Sequence, residues 1–265
     1  MFKLYLCPPM QSSCAIITNC SHIYNMLHLK YGKYLSEEET ATQLHVEAVK
    51  YDPFYRIATE DESFVSRFPI REIDRYLFQN TKYNDNIFAI HGGAIEYGNN
   101  AYIFLSPTLG GKTTLTSYLS AQGCDYITDD CILLDKINFN VYPYTTPIHL
   151  RQGGIDILSA YYSAPEDLRE IKDGSEVQRF VYTPKNCVNS AIPLKRIFFI
   201  ERTENENRLV QMNATERIAA LMKSPITDYE INGEYIRFLS KLAKYECHIL
   251  KYSDMNYVKD IIQNG

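Results

Sequence analysis

A glycine-rich turn followed by a lysine and hydroxyl residues is the stretch whose residue types could do chemistry most directly. Residues 106–113 read Ser-Pro-Thr-Leu-Gly-Gly-Lys-Thr. Glycines let backbone N–H groups close around phosphate oxygens, a lysine reaches the outer phosphates, and a threonine hydroxyl can bind Mg²⁺. The sequence therefore predicts that ATP or another nucleoside triphosphate binds, with Mg²⁺, at Gly110, Gly111, Lys112, Thr113 and Thr114.

The same stretch departs from the usual phosphate-binding pattern G-x-x-x-x-G-K-[ST]. Ser106 stands where the first glycine is expected, and Pro107 follows it. Serine tolerates fewer backbone conformations than glycine, and proline has no N–H to donate to a phosphate. Because Gly-Lys-Thr also occurs in ordinary turns, the prediction depends on a strand before the turn and a helix directly after it.

Two adjacent carboxylates, Asp129 and Asp130, lie in the middle of the apolar stretch 125–134. Carboxylates can help to hold Mg²⁺ and can accept the proton of an attacking hydroxyl. Neighbouring side chains on a strand point to opposite sides, so the chain must kink here for both to face one site. The alternative interpretation is that one of the two caps a turn.

His91 is the next candidate, directly before Gly92-Gly93. A single histidine in an apolar strand is more often a packed, hydrogen-bonded core residue than a catalyst. Its strand is expected to lie beside the phosphate-binding turn, which favours a catalytic role. The sequence leaves both interpretations open.

The elements around these residues have the required order. Residues 102–105 predict a strand before the turn, and a helix is expected from Thr113 to Gln122-Gly123, where glycine suits a left-handed cap. Residues 87–97 predict a strand interrupted near Gly92-Gly93, which pairs with the first strand through the turn at Gly98-Asn99-Asn100.

Other segments outline the rest of the fold. Residues 147–154 predict a strand that ends in a flexible loop, residues 195–201 a buried strand, and residues 213–216 a capping box at the start of a helix. Residues 56–66 have a mixed pattern that predicts no element. We expect residues 1–80 to form an amino-terminal lobe and residues 81–265 a nucleotide-binding domain.

Composition narrows the classes of partner. The chain has 265 residues, a net charge of −5 and scattered lysines and arginines, which disfavours nucleic acid and anionic membranes. No apolar run approaches ~20 residues and no signal peptide is visible, so a cytoplasmic location is expected. Seven cysteines without a C-x-x-C pair indicate reduced thiols.

Residues 90–92 (Ile-His-Gly), 106–113 and 128–130 (Thr-Asp-Asp) together resemble the HPr kinase/phosphorylase family and its shorter relatives found with peptide-modification clusters. In that family a His-Gly strand precedes a loop of the type Gly-x-x-Gly-x-Gly-Lys-Ser, and an Asp-Asp pair ends the following strand. The resemblance covers residues 87–135. It implies an α/β fold with a P-loop core, a mixed sheet flanked by helices, and a small amino-terminal lobe.

The resemblance also implies roles for the site residues. Asp129 would act as base toward the acceptor hydroxyl, and Asp130 would hold Mg²⁺ with Thr113. Lys112 would bind the nucleotide phosphates, and His91 would lie close to the reacting phosphoryl group. The expected catalytic residues are therefore Asp129, His91 and Lys112.

The chain departs from the family pattern in two ways. Ser106 replaces the first loop glycine and Leu109 the second, which changes the loop geometry. The carboxy-terminal region that binds HPr in the bacterial enzyme is not recognisable, so HPr is a poor candidate for the substrate. The family's enzymes form oligomers, which leaves a homo-oligomer open.

The function expected from these features is that of an ATP- and Mg²⁺-dependent kinase. Its acceptor would be a hydroxyl, foremost a serine in a peptide or small protein. Two alternatives stay open: a non-catalytic nucleotide-binding module that serves as an assembly partner or sensor, and a small-molecule kinase.

Overall fold

The structure is a computed structural model that describes residues 1–7, 13–49, 54–82, 86–171, 178–223 and 233–265, with only the backbone for 78–82. The chain divides into two compact units. Residues Met1–Asp85 belong to the first, and Asn86–Ile171 with Gln178–Gly265 form the second. All the predicted site residues lie in the second unit.

The first unit contains a sheet of strand order β3-β1-β2-β4-β5-β6, in which β2 and β4 are parallel and the other pairs antiparallel. Strands β5 and β6 lie within residues 56–66 or at their edge, where the mixed pattern predicted no element. The elements are β1 Phe2–Leu6, β2 Cys14–Thr18, α1 Ser21–Tyr31, a 3₁₀ turn Gly32–Tyr34, β3 Leu35–Ser36, β4 Gln43–Ala48, β5 Tyr55–Ala58, β6 Ser63–Ser66 and α2 Pro69–Lys82.

The second unit is built on a larger mixed sheet and a small antiparallel one. Its first half contains β7 Ile87–His91, β8 Gly93–Tyr97, β9 Asn100–Leu105, α3 Lys112–Ala121, β10 Asp125–Thr128, β11 Cys131–Asp135, β12 Asn140–Tyr142, β13 Ile148–Arg151 and α4 Gln152–Leu158. The second half contains β14 Arg169–Ile171, β15 Arg179–Tyr182, β16 Ile192–Arg202, β17 Arg208–Gln211, α5 Ala214–Leu221, α6 Gly233–Leu242, β18 Glu246–Tyr252 and α7 Met255–Asn264.

The larger sheet has the order β10-β8-β9-β16-β12-β11-β7, and β18 and β17 extend it from β16. Strand β16 is parallel to both β9 and β18, whereas the other pairs are antiparallel, so the sheet is mixed as predicted. One face packs on α3 and α7 through Leu115, Leu119 and Val258. The other packs on α6 through Phe238 and Leu239. Helices therefore flank both faces of the sheet.

The predicted hairpin before the glycine-rich turn is confirmed for β8 and β9. Tyr97 pairs with Asn100, and the two residues between them, Gly98 and Asn99, both have φ of 61°. Two successive positive φ values are the geometry of a type I′ turn, which suits the twist of a hairpin.

The left-handed cap predicted at the end of α3 is also confirmed. Gly123 has φ of 94°, and Cys124 N–H donates to Leu119 O at 3.1 Å. This bond satisfies a carbonyl that the end of the helix leaves without an intrahelical donor. At the start of α5, the predicted capping box joins Asn213 and Glu216 reciprocally.

One sequence-based expectation about secondary structure was wrong. The strand after residue 147 does not end in a flexible loop, because Gln152 begins α4. Gly154 allows this helix to pack closely, since a Cβ there would lie 3.2 Å from Thr114 Oγ1. Residues 125–134 form two strands, β10 and β11, joined by a bend at Asp129-Asp130, and the two strands belong to different parts of the sheet.

Within the described ranges, no helix combines the length and apolar character needed to cross a membrane.

Gly92, where the chain passes from β7 to β8, is the position that we expect to tolerate a side chain least. A Cβ there would lie 2.6 Å from Ile132 Cδ1, 2.7 Å from Leu105 Cδ2 and 2.9 Å from the carbonyl oxygen of Phe104. We expect Gly92→Ala to destabilise the protein by about 1–3 kcal/mol, because the core and the β9 backbone must shift. Thermal unfolding followed by circular dichroism measures the effect.

The matched control is Gly153→Ala in α4, where a Cβ would have no atom within 4 Å. Alanine favours a helix over glycine by roughly 0.5–1 kcal/mol, so this variant should be as stable as the wild type or more so. Equal destabilisation of both variants would contradict the packing argument.

Candidate functional site

The glycine-rich turn lies between β9 and α3 because its flanking elements are held by the core. The apolar residues of β9 are buried on both faces of the sheet, and α3 packs Leu115 and Leu119 against β8 and β9. Gly93 lets the helix approach, since a Cβ there would lie 2.6 Å from Thr116 Cγ2. Strand, turn and helix thus follow one another in the order that phosphate binding requires.

Lys112 is the first residue of α3 and is only 6% exposed. Its ammonium donates to the carbonyl oxygen of Ser106 at 2.8 Å and to that of Pro107 at 3.1 Å. Burial lowers the pKa of Lys112 below its ordinary value, while attraction by Asp130 and then by Asp129 acts to raise it. The lysine is therefore held under the turn, within electrostatic range of both predicted carboxylates.

The Ser106 side chain fills the space that a side chain at Gly110, at the other end of the turn, would need. A Cβ on Gly110 would lie 2.3 Å from Ser106 Oγ and 2.6 Å from Ser106 Cβ. The N–H of Gly110 donates to the carbonyl oxygen of Pro107 at 3.0 Å and closes the turn on itself. The serine in place of the first loop glycine thus makes glycine necessary at position 110.

Leu109 carries the backbone strain of the turn. Its φ is 68° and its side chain is 75% exposed. A branched side chain in the left-handed region costs about 1–2 kcal/mol, which glycine would avoid. The second departure from the family pattern therefore stands at a position whose backbone conformation favours glycine.

Asp129 and Asp130 form the bend between β10 and β11, so the kink that the sequence required is present. A bulge in β10 precedes the bend, because the register with β8 shifts between Tyr126 and Thr128. Asp129 is 8% exposed and accepts a hydrogen bond from Tyr126 Oη at 2.7 Å. The Asp130 side chain is 47% exposed. The two carboxylates thus have different environments.

His91 lies beside Asp130. It ends β7 and pairs with Cys131 of β11, so β8, and not the strand of His91, lies beside β9. Its Nδ1 is 3.0 Å from the carbonyl oxygen of Asp130 and 3.2 Å from Asp130 Oδ1. Because a carbonyl oxygen only accepts, Nδ1 carries a hydrogen in this arrangement.

The remaining predicted residues lie at the start of α3. By helix geometry the N–H groups of Lys112, Thr113 and Thr114 have no intrahelical acceptor, so this end of the helix favours an anion. Thr113 is half-buried, and the Thr114 hydroxyl is directed toward α4 at Gly154. Gly111 has φ of 90°, and a Cβ there would lie 3.2 Å from Tyr252 Oη.

A buried polar layer next to Asp129 was missed by the sequence analysis. The Tyr126 hydroxyl also lies 3.2 Å from the carbonyl oxygen of Thr146, and Ser117 Oγ hydrogen-bonds to the hydroxyls of Tyr162 and Tyr182. No spacing marks these residues in the sequence. Positions 126 and 129 of a regular strand would even point to opposite faces, so only the bulge and the bend bring them together.

The donor set fits Mg²⁺ only together with a nucleotide. Among the residues that the structure describes, no group of three or more histidine, cysteine, aspartate or glutamate side chains could hold a metal ion. Mg²⁺ in nucleotide sites is commonly bound by one or two carboxylates together with phosphates and water. The exposed carboxylate of Asp130 and the hydroxyl of Thr113 match that chemistry.

Comparisons with known proteins give a distant match. No protein-family model matches the chain, and no curated protein matches it. Among solved structures it is similar to the Hpr(Ser) kinase/phosphatase from Coxiella burnetii, with 11% sequence identity and a TM-score of 0.36 over 66% of this chain and 88% of that chain. At this identity and TM-score, the similarity assigns neither a family nor an activity.

The contact between Ser106 and Gly110 can be tested with a double-mutant cycle. We expect Gly110→Ala to destabilise the protein by about 1–3 kcal/mol, because the new methyl group overlaps the Ser106 side chain. Ser106→Gly should remove most of that loss in the double variant. Thermal unfolding of the wild type, both single variants and the double variant measures the coupling. An equal effect of Gly110→Ala in both backgrounds would argue against the contact.

Proposed function

We propose that this chain is a nucleoside triphosphate- and Mg²⁺-dependent phosphotransferase whose acceptor is a hydroxyl. The observation that supports it most is the juxtaposition of Lys112, at the start of α3, with the bend that carries Asp129 and Asp130. Both carboxylates act on the buried lysine electrostatically. Phosphoryl transfer needs phosphate positioning, charge neutralisation and a base near the acceptor, and these residue types can supply all three.

The phosphates would bind at the amino-terminal end of α3. There Lys112 would exchange its contacts with the carbonyl oxygens of Ser106 and Pro107 for contacts with phosphate oxygens. Such an exchange restores hydrogen bonds to a buried ammonium and gives it a negative partner, which offsets the cost of its burial. Opening of the turn is therefore part of nucleotide binding in this proposal.

The two carboxylates would divide the remaining tasks. Asp130, which is more exposed, would hold Mg²⁺ with the Thr113 hydroxyl, and Mg²⁺ when bound neutralises charge on the phosphates. Asp129, which is buried and oriented by Tyr126, would take the proton of the acceptor hydroxyl. His91 is held through Nδ1 by Asp130, so its Nε2 could hydrogen-bond to the acceptor or to a protonated phosphate oxygen.

The acceptor that we propose is a serine in a peptide or small protein. This part of the proposal rests on the resemblance of residues 87–135 to the HPr kinase/phosphorylase family. A small-molecule kinase uses the same groups, so it is the outcome if small alcohols are phosphorylated and serine peptides are not.

A second candidate function is nucleotide binding without transfer. It is favoured by the closed turn, in which Gly110 N–H and the Lys112 ammonium are satisfied internally, and by the strain at Leu109. In that case a nucleotide would raise the unfolding temperature of the protein, and neither hydrolysis nor transfer would occur with any acceptor.

Replacement of Lys112 tests the nucleotide site. We expect Lys112→Ala to weaken ATP binding at least tenfold in isothermal titration calorimetry, because a buried phosphate partner is lost. Lys244→Ala, at an exposed position of the same unit, is the control and should leave affinity unchanged. Because burial lowers the pKa of Lys112, wild-type affinity should decline at a lower alkaline pH than an ordinary lysine would give. Unchanged affinity in Lys112→Ala would rule out this site.

Replacement of Asp129 tests the base. We expect Asp129→Asn to reduce phosphoryl transfer to serine-containing peptides by ~10²-fold or more, because an amide cannot accept the hydroxyl proton. ATP affinity should stay within a few fold of the wild type. Asp125→Asn, at the start of β10, is the control and should transfer at the wild-type rate. Transfer by Asp129→Asn at the wild-type rate would refute the assignment of the base.

A further inference from the structure

Tyr126 is a buried residue that no sequence pattern marks, and it hydrogen-bonds to Asp129. Its hydroxyl donates to Asp129 Oδ1 at 2.7 Å, and the residue has no exposed surface. A buried tyrosine hydroxyl usually needs one partner, and any neutral acceptor would satisfy it. This one has a carboxylate, and that carboxylate is the base of the proposed reaction.

The backbone of Tyr126 is fixed on both sides. It pairs with Ile95 of β8, its N–H donates to Asn186 O at 3.0 Å, and its carbonyl oxygen accepts from Val188 N–H at 3.0 Å. The bulge that follows it directs the chain into the bend, so its ring reaches Asp129. Bulges commonly re-aim side chains next to functional sites. A carboxylate held by such a rigid donor has one defined orientation.

We infer that Tyr126 is a positioning residue that orients Asp129 and holds it ready to accept the proton of the acceptor hydroxyl. The inference rests on the proposed function. The Tyr126 hydroxyl has two acceptors within reach, Asp129 Oδ1 and, at 3.2 Å, the carbonyl oxygen of Thr146. It has one proton, so it donates to the ionised carboxylate. After proton transfer it can turn to Thr146 and accept from the protonated carboxyl.

The surroundings of Asp129 contain other groups that influence its protonation. Lys112 on α3 attracts the carboxylate, Asp130 beside it repels it, and the buried hydroxyl of Tyr182 on β15 lies within electrostatic range. Burial raises the pKa of Tyr126 well above its ordinary value, so its hydroxyl keeps its proton at any working pH. Tyr126 hydrogen-bonds directly to the carboxylate.

The test is Tyr126→Phe in the full chain, with ATP binding and phosphoryl transfer to a serine-containing peptide measured separately. Loss of the donor that orients the base should lower kcat by about tenfold, while the KM for ATP and the ATP affinity should not change. In the Asp129→Asn background the same substitution should have no further effect on kcat, because the base that Tyr126 orients is absent. Tyr118→Phe is the matched control, because that buried hydroxyl bonds to Asn256 Oδ1 at 2.6 Å and not to Asp129.

A second measurement keeps the Tyr126 hydroxyl in place. 3-Fluorotyrosine incorporated at position 126 alone should show a fluorine-19 chemical shift that changes in Asp129→Asn and not in Asp125→Asn, because its hydroxyl donates to the Asp129 carboxylate. A fluorine signal that is the same with and without the Asp129 carboxylate would overturn the inference.

The remaining outcomes separate the inference from the proposed function. If Tyr126→Phe has the kcat of the wild type while the wild type transfers phosphate, the role of Tyr126 is overturned and the kinase proposal stands. If the substitution lowers kcat equally with and without the Asp129 carboxylate, the positioning role is also overturned. If the wild type transfers no phosphate, the proposed function falls and the catalytic part of the inference falls with it, whatever the fluorine signal shows.

Discussion

The candidate site depends on one point in the fold, where two chain segments lie side by side and each passes from one strand to the next. At Gly92 the chain passes from β7 to β8, and at Asp129-Asp130 it passes from β10 to β11. Gly92 N–H donates to the carbonyl oxygen of Asp130 at 3.2 Å, and His91 Nδ1 contacts the same oxygen at 3.0 Å. One carbonyl therefore holds both passages, and the predicted histidine and aspartates meet there.

Gly92 and Gly93, next to this point, are needed for the packing of the core and not for contact with a phosphate. Gly92 leaves room for Ile132 and Leu105, and Gly93 leaves room for Thr116. The second contact brings α3 against β8 and so places Lys112 near the bend. A side chain at either glycine would push apart the elements that carry the charged groups. The geometry of the site therefore depends on the close packing of the core at these two positions.

The turn shows how one sequence departure constrains another position. The Ser106 side chain fills the space next to Gly110, and Lys112 satisfies its charge on carbonyl oxygens of the same turn. In the usual pattern a glycine would leave that space open. The turn is therefore closed on itself, and an incoming phosphate must compete with contacts that already stabilise the lysine.

The environments of the two carboxylates differ because tertiary structure separates them. Asp129 faces the buried hydroxyl of Tyr126, while Asp130 faces the half-exposed His91. In the proposed function, Asp129 and Asp130 therefore have different roles although they are adjacent and of one residue type. A buried carboxylate that accepts a hydrogen bond from a buried hydroxyl suits proton transfer, and a half-exposed carboxylate suits a hydrated cation.

The sequence by itself determined the local elements: the hairpin at Gly98-Asn99, the cap at Gly123, the capping box at Asn213, and the order of strand, turn and helix around Lys112. Each is specified by residues close together in the chain, through backbone conformation and hydrophobic period. The sequence also identified the candidate residues and the need for a kink at Asp129.

Only the tertiary structure decided which of these residues meet. The bulge after Tyr126, the pairing of His91 with Cys131, and the contact of Ser106 with Gly110 depend on distances across the fold. Residues 126 and 129 of a regular strand face opposite sides, so no local pattern could predict their hydrogen bond. The helix at Gln152 was missed for the same reason, because Gly154 is accommodated by close packing against Thr114 of α3 and not by local helix preference.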